Sequence, residues 1–213
     1  MSQDLYAKIG REELDYPALM SVLAQYAYPR AKVTTLLKSG TIIRVKKGLY
    51  VFGEKLRRRP FSRELLANLI YGPSIVSLDY ALAWHGLIPE RIEAVTSTTP
   101  KRCKRFPTPV GLFIYRQVPK AYFPIGMERV ERGDVAFLIA SPERALADKL
   151  REDRGTPLRS QSGVANYVMR SLRIDTDKVA QLNAELLAEL AAHGGSNKIS
   201  LLAKWVRTLR GQP

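Results

Sequence analysis

The sequence predicts an α+β protein in two parts. Residues 1–58 read as a small helix-and-hairpin unit, and residues 59–213 as a mixed α+β region with a helical C-terminus. Three observations predict it. Before residue 40 the apolar residues recur at helical spacing, and then a strand, a basic glycine turn and a second strand follow. Between residues 75 and 140 short apolar or alternating runs read as strands. From residue 141 onward capped helical segments follow one another. The chain has 213 residues, 46% hydrophobic and 25% charged, which suits one large domain or two small ones and not a disordered chain.

In the first part, residues 2–14 read as a weak helix through Leu5, Ile9 and Leu14, with Gly10 against it. Asp15 is the expected N-cap of a helix over 16–26, with Pro17 in its first turn and Leu19, Val22, Leu23 and Tyr26 on one face. A second helix is expected from about Arg30 to Ser39, with Gly40 as its left-handed stop. On a helical wheel Val33, Leu36 and Leu37 share the core face, and Ala31, Thr34, Thr35 and Lys38 point away. Thr41–Val45, a Lys46-Lys47-Gly48 turn and Leu49–Phe52 then form a hairpin, Gly48 supplying the positive φ of a tight turn. A helix followed at once by a basic hairpin is the recognition half of a winged helix-turn-helix. The outward face then offers hydroxyls and methyl groups to base edges, Arg30 and Lys32 add charge, and Arg44, Lys46 and Lys47 meet phosphate or the minor groove. For the helix alone, a plain solvated face explains the same residues.

Residues 53–60 are the expected linker, its Arg57-Arg58-Arg59 run a solvated or DNA-facing hinge. The second part opens with a helix from Ser62 to Tyr71, then the short run Ile75–Ser77 and a helix Leu78–His85. Strands are expected at 92–99 and 111–118, and a hairpin about Gly133 into a buried strand Val135–Ala140. Ser141-Pro142-Glu143 caps a helix through Leu150, and helices near 163–172, 176–193 and 198–209 finish the chain. Leu182, Leu186 and Leu190 are placed on one long helix as a packing seam, too short for a zipper.

Charge points to the same partner as the hairpin. The net charge is +14, half of it in residues 1–60. Residues 94–127 contain no acid, and Lys101, Arg102, Lys104, Arg105 and Arg116 there make a second basic surface. Such excess favours polyanions. A single cysteine, Cys103, rules out an intrachain disulfide, and with only His85 and His193 beside it a Cys/His zinc site is excluded. No apolar run reaches the ~18 residues of a membrane span, and no signal peptide is visible at the N-terminus. A cytoplasmic, nucleoid-associated protein is expected.

Several blocks together resemble the AbiEi family of type IV toxin–antitoxin antitoxins. They are Leu37–Gly40 through Arg44–Tyr50, Ser77–Leu82 with His85–Pro89, Thr98-Thr99 with the basic stretch to Arg105, and Ser141–Asp148. They run in the family's order from about residue 16 to the C-terminus. The resemblance implies a bacterial antitoxin whose winged helix represses its own operon by binding double-stranded operator DNA at inverted repeats. It implies an AbiEii-type nucleotidyltransferase as the toxin, without requiring a stable complex. It places antitoxin function in the C-terminal domain, with His85, Arg144 and Asp148 in its motifs.

Each of those three has a structural reading beside the functional one. Arg144 and Asp148, at i and i+4, are either part of an antitoxin surface or a helical ion pair. His85 sits where a histidine commonly ends a helix. Asp79, Glu90 and Glu93 would serve a metal-dependent nuclease only if gathered together. No P-loop, GxGxxG, HExxH or GxSxG pattern is present, so no enzyme and no cofactor or metal is expected. Two rival readings stay open: a winged-helix regulator of other genes with a sensor domain, and a nucleic-acid-processing enzyme.

Overall fold

The computed structural model describes Ala7, residues 9–155 and residues 158–211. The chain is α+β, with a three-stranded antiparallel sheet near the N-terminus and a mixed six-stranded sheet beyond it. Strand β1 (Glu13–Asp15) leads into α1 (Tyr16–Leu23) and α2 (Pro29–Lys38), and β2 (Ile42–Lys46) and β3 (Leu49–Phe52) form the hairpin. Asp15 caps α1, its carboxylate accepting from Ala18 N at 2.7 Å, and Pro17 lies in the first turn. The start of the expected first helix lies outside the described residues. Its end is a strand: Leu14 pairs with Tyr50 in β3, because a buried edge beside the hairpin was open to it.

The hairpin is buried on both faces. Ile42, Tyr50 and Phe52 join Leu14, Leu19, Leu23, Val33 and Leu36 in a small N-terminal core. Val45, Leu49 and Val51 face the other way and belong to the large core of the second part. Gly53 is needed where the chain leaves the sheet, since a Cβ there would stand 1.9 Å from the Gly40 carbonyl oxygen.

The expected hinge at 53–60 is a fixed joint instead. Glu12 and Glu13 are buried beside it. Glu12 Oε1 accepts from Arg58 N and Arg59 N, both at 3.0 Å, and Glu13 Oε1 accepts from Ser62 N at 2.5 Å. Arg59 is ion-paired with Asp134, and Arg57 lies over the Phe61 ring. The backbone N–H groups of Arg58, Arg59 and Ser62 are therefore satisfied by two carboxylates from the preceding part.

The large sheet has the order β6-β7-β5-β4-β9-β8. Its strands are β4 (Ile75–Val76), β5 (Val95–Thr99), β6 (Lys104–Thr108), β7 (Gly111–Gln117), β8 (Met127–Arg132) and β9 (Val135–Ala140). The parallel pairs are β4/β9 and β5/β7. Helix α3 (Arg63–Ile70), capped by Ser62, lies on one face of this sheet, tied to β9 by Asn68 and to β7 by the Tyr115 hydroxyl donating to the Ala67 carbonyl. Helices α4 (Leu78–Trp84) and α5 (Pro142–Glu152) pack together, α4 also against β5 and α5 against β9.

Strand β6 was not anticipated: Phe106 is flanked by lysine, arginine and Pro107, and only pairing with β7 makes it a strand. It is an edge strand, where proline and basic residues are tolerated and discourage further pairing. Strand β9 is covered unevenly, Val135, Ala136 and Leu138 keeping some exposure. The expected helix near 163–172 is α6 (Gln161–Asn166) followed by a π-helical turn at Tyr167–Ser171. The expected helix 176–193 is broken into α7 (Thr176–Ala180) and α8 (Ala184–Gly194). Asn183 starts the second, its side chain accepting from Glu185 N and Leu186 N, so Leu182 is not on the helix of Leu186 and Leu190. Gly195, at φ +63°, ends α8, and α9 (Asn197–Leu209) closes the chain. No helix among the described residues is long and apolar enough to cross a membrane.

Candidate nucleic-acid interface

The exposed face of α2 carries the residues expected on it. Val33 and Leu36 are buried beneath, and Arg30, Ala31, Thr34, Thr35 and Lys38 are exposed, with Lys32 half-buried over the Tyr26 ring. Thr35 donates its hydroxyl to the Ala31 carbonyl at 3.1 Å, and Thr34 to Arg30 at 3.4 Å. With their protons turned back onto the helix, both present lone pairs and a methyl group outward. That suits an amino donor of adenine or cytosine, or a thymine methyl.

The start of α2 adds what sequence reasoning missed. Tyr28 occupies the N-cap position without making a side-chain cap and is 79% exposed. Pro29 follows and no acid lies in the first turn. The positive end of the helix is thus open beside a phenol and Arg30, a combination suited to phosphate. The signal in the sequence was an aromatic residue before a helix-starting proline, where a Ser, Thr or Asp cap is usual.

The hairpin's three cations divide. Arg44, Lys46 and Lys47 are all exposed, but only Lys46 has its ammonium engaged across the joint. Lys46 donates its ammonium to the Ile70 carbonyl at 2.6 Å, at the C-terminal end of α3, where a cation is favoured by the helix dipole. Lys46 therefore fastens the hairpin to the second part.

The second basic surface is split by the sheet. Lys104 pairs in register with Tyr115, whose hydroxyl reaches α3, and both Lys101 and Lys104 stand over the Tyr71 ring. Lys101 also donates to the Gly72 carbonyl. Arg105 is in register with Ile114, on the alternate face, where Arg116 pairs with Glu152 of α5 at 3.0 Å. Arg102 is exposed in the loop before β6. The five residues are consecutive in chemistry but not in space, because strand alternation sends neighbours to opposite faces.

His85, Arg144 and Asp148 do not form an exposed group. His85 ends α4 and donates Nε2–H to the Ala140 carbonyl at 2.8 Å. Arg144 and Asp148 are 0% and 2% exposed, so they are no part of a surface. Arg144 Nε donates to Asp148 Oδ2 at 2.9 Å, and Ser77 Oγ donates to the same oxygen at 2.6 Å. The Arg144 guanidinium also donates to the carbonyls of Tyr122 (2.7 Å) and Ile125 (2.5 Å) and lies 3.9 Å from the Tyr122 ring centroid. Burial, reinforced by the Asp148 charge, pushes the Tyr122 phenol far above its ordinary range. This network locks the loop before β8 onto α5.

Asp79, Glu90 and Glu93 are dispersed among separate partners: Lys149 at 2.6 Å, Arg173, and Arg91 at 3.0 Å. Among the described residues no three His, Cys, Asp or Glu side chains gather as metal ligands would. In comparisons with known proteins, no family model and no curated sequence matches this chain.

Proposed function

We propose that the N-terminal part is a winged helix-turn-helix that binds double-stranded DNA, and that the protein is an operon-repressing antitoxin of the type IV class. The observation that carries the DNA reading is the succession of α2 and the β2–β3 hairpin. The helix exposes Ala31, Thr34, Thr35 and Lys38 on one face, and a turn bearing Lys47 beside Arg44 follows it directly. The order strand, helix, helix, hairpin, with β1 against β3, also suits that reading. In it α2 enters the major groove, Tyr28 and Arg30 meet phosphate at its start, and Arg44 and Lys47 hold the backbone. A net charge of +14 supplies the attraction.

The antitoxin part rests on the resemblance of Ser77–Leu82, His85–Pro89 and Ser141–Asp148 to the AbiEi family. Their roles here are architectural: Ser77, Arg144 and Asp148 hold one buried network, and His85 a helix end. On this reading the motifs specify the domain's shape, and neutralisation of the nucleotidyltransferase works through what that shape displays.

Two measurements test the proposal. The first is binding of the full chain to the DNA upstream of its own gene, against mixed competitor DNA, over a range of salt. Arg44→Gln with Lys47→Gln should weaken binding to every sequence and lower the salt slope by about two, one for each phosphate no longer neutralised. Thr34→Ala and Thr35→Ala should reduce the preference for the upstream sequence by ~1–3 kcal/mol per base pair affected. Equal affinity for upstream and competitor DNA would remove the repressor reading. The second is growth of cells making the product of the adjacent gene, with and without this chain. Rescue supports the antitoxin; toxicity unrelieved by the full chain removes it and leaves a regulator of other genes.

A further inference from the structure

We propose that the second part carries a binding site for a phosphoryl anion, an inorganic polyphosphate or the polyphosphate end of a nucleotide, separate from the DNA-facing helix. The site is a cleft of about 850 Å³ between the end of β7, the end of α5 and the turn joining α8 to α9. That volume is in the range of small-molecule sites.

Its lining is chosen for negative charge. Arg116, Arg151 and Arg154 face the cleft with Glu152 as the only acid among the described lining residues. Arg151 is held in place: Nε donates to the Gly194 carbonyl at 3.4 Å, and Nη1 to the Gln117 carbonyl at 3.2 Å. These leave part of its five-donor fork for a ligand. Arg116 is braced by Glu152 at 3.0 Å, and Arg154 is exposed. Three guanidinium groups, one on β7 and two at the end of α5, match the several oxygens of a phosphoryl chain better than one carboxylate would. Ser196, at the start of α9, lines the same space, and the first turn of that helix has no acid to compete with a ligand. No aromatic ring lines the cleft among the described residues, so nothing stacks on a base. The site therefore recognises the phosphoryl chain and not the nucleoside.

The cleft carries its own reporter. Cys103 is the only cysteine of the chain, is exposed, and lines this wall, with its sulfur accepting from Gln117 N at 3.3 Å. The experiment is the rate of Cys103 alkylation by iodoacetamide on the full chain, with inorganic pyrophosphate, with ATP, and with a short DNA duplex. Pyrophosphate and ATP should both slow alkylation, to similar extents at equal occupancy. Arg116→Gln with Arg154→Gln should weaken that protection by about tenfold or more, the loss expected when charge-assisted hydrogen bonds are removed. Arg44→Gln with Lys47→Gln, on the other part of the chain, should leave it unchanged. Three outcomes overturn the proposal: no protection by pyrophosphate at millimolar concentration, protection by DNA alone, or equal loss in both double variants, which would mean diffuse attraction to a basic protein.

Discussion

Two buried ionic side chains show how differently a charge is accommodated. Arg144 is fully enclosed yet reaches Asp148, three loop carbonyls and an aromatic ring. Removing one member of such a network leaves the other stranded in a medium that solvates it poorly, so Arg144→Met should cost about 3–5 kcal/mol in urea unfolding. Adding Asp148→Leu should recover only part, because the carbonyls of Tyr122 and Ile125 would still be without their donor. Full recovery in the double variant would show that the loop does not depend on the guanidinium. Glu13 is the opposite case. Burial holds its carboxyl above the ordinary range, and the Ser62 N–H and the Arg59 charge only reduce that shift. A carboxyl whose folded pKa is raised contributes most below its unfolded value and loses that contribution as pH rises through the folded one. The stability of the native chain relative to Glu13→Gln should therefore fall over the range upward from about pH 4, the ordinary glutamate value. Asp134, lowered by its hydrogen bond to Arg59, works in the other direction and loses its contribution in acid. Denaturant midpoints of both proteins across that range measure the Glu13 effect, and a constant difference would contradict it.

Elements were legible in the sequence where a local rule was sufficient. Asp15, Ser62 and Ser141 cap the helices that follow them, each accepting from the N–H three residues on. The positive-φ Gly40 and Gly48 stand where the helix stop and hairpin turn required them. What escaped were elements decided by distant partners. Strand β1 exists because β3 offered it an edge, and β6 because β7 did. The break between α7 and α8 was written locally, but Asn183 lay inside a continuous apolar period and the period was followed instead. Asn183→Ala tests the weight of that signal. Losing the cap should cost about 1 kcal/mol, read from the denaturation midpoint, without a change in helix content large enough to mean that α7 and α8 had fused. The candidate interface was legible for the same reason as the caps, since a wheel projection fixes which face of α2 is exposed. The fate of Lys46 was not, because its acceptor, Ile70, lies in the next unit.

At the scale of the whole molecule the question is whether the two parts are independent, and the packing argues that they are not. Among the described residues the N-terminal core has eight buried apolar side chains, too few to hold a separate domain with much margin. The other face of its hairpin gives Val45, Leu49 and Val51 to the large core, so removing residues 1–58 would uncover α3 and its neighbours. The joint between them is held by Glu12 through the backbone of Arg58 and Arg59, and by Lys46 at the end of α3. Two consequences follow for unfolding. Trp84 and Trp205, the two tryptophans of the chain, both lie in the second part, so their fluorescence reports that part alone while far-UV circular dichroism reports both. In the native chain the two signals should change at one denaturant concentration, as a coupled unit requires. In Glu12→Ala the backbone of the joint loses its buried acceptor, and the small core must stand on its own. Circular dichroism should then begin to change first, with the fluorescence midpoint little moved. If both signals shift together by the same amount, the coupling lies in the hairpin's shared face and not in the carboxylate, and Val51→Ala becomes the substitution that separates the parts. A helix carried on such a joint cannot swing freely, because the hairpin that follows α2 shares its far face with the large core and its Lys46 is fastened to the end of α3.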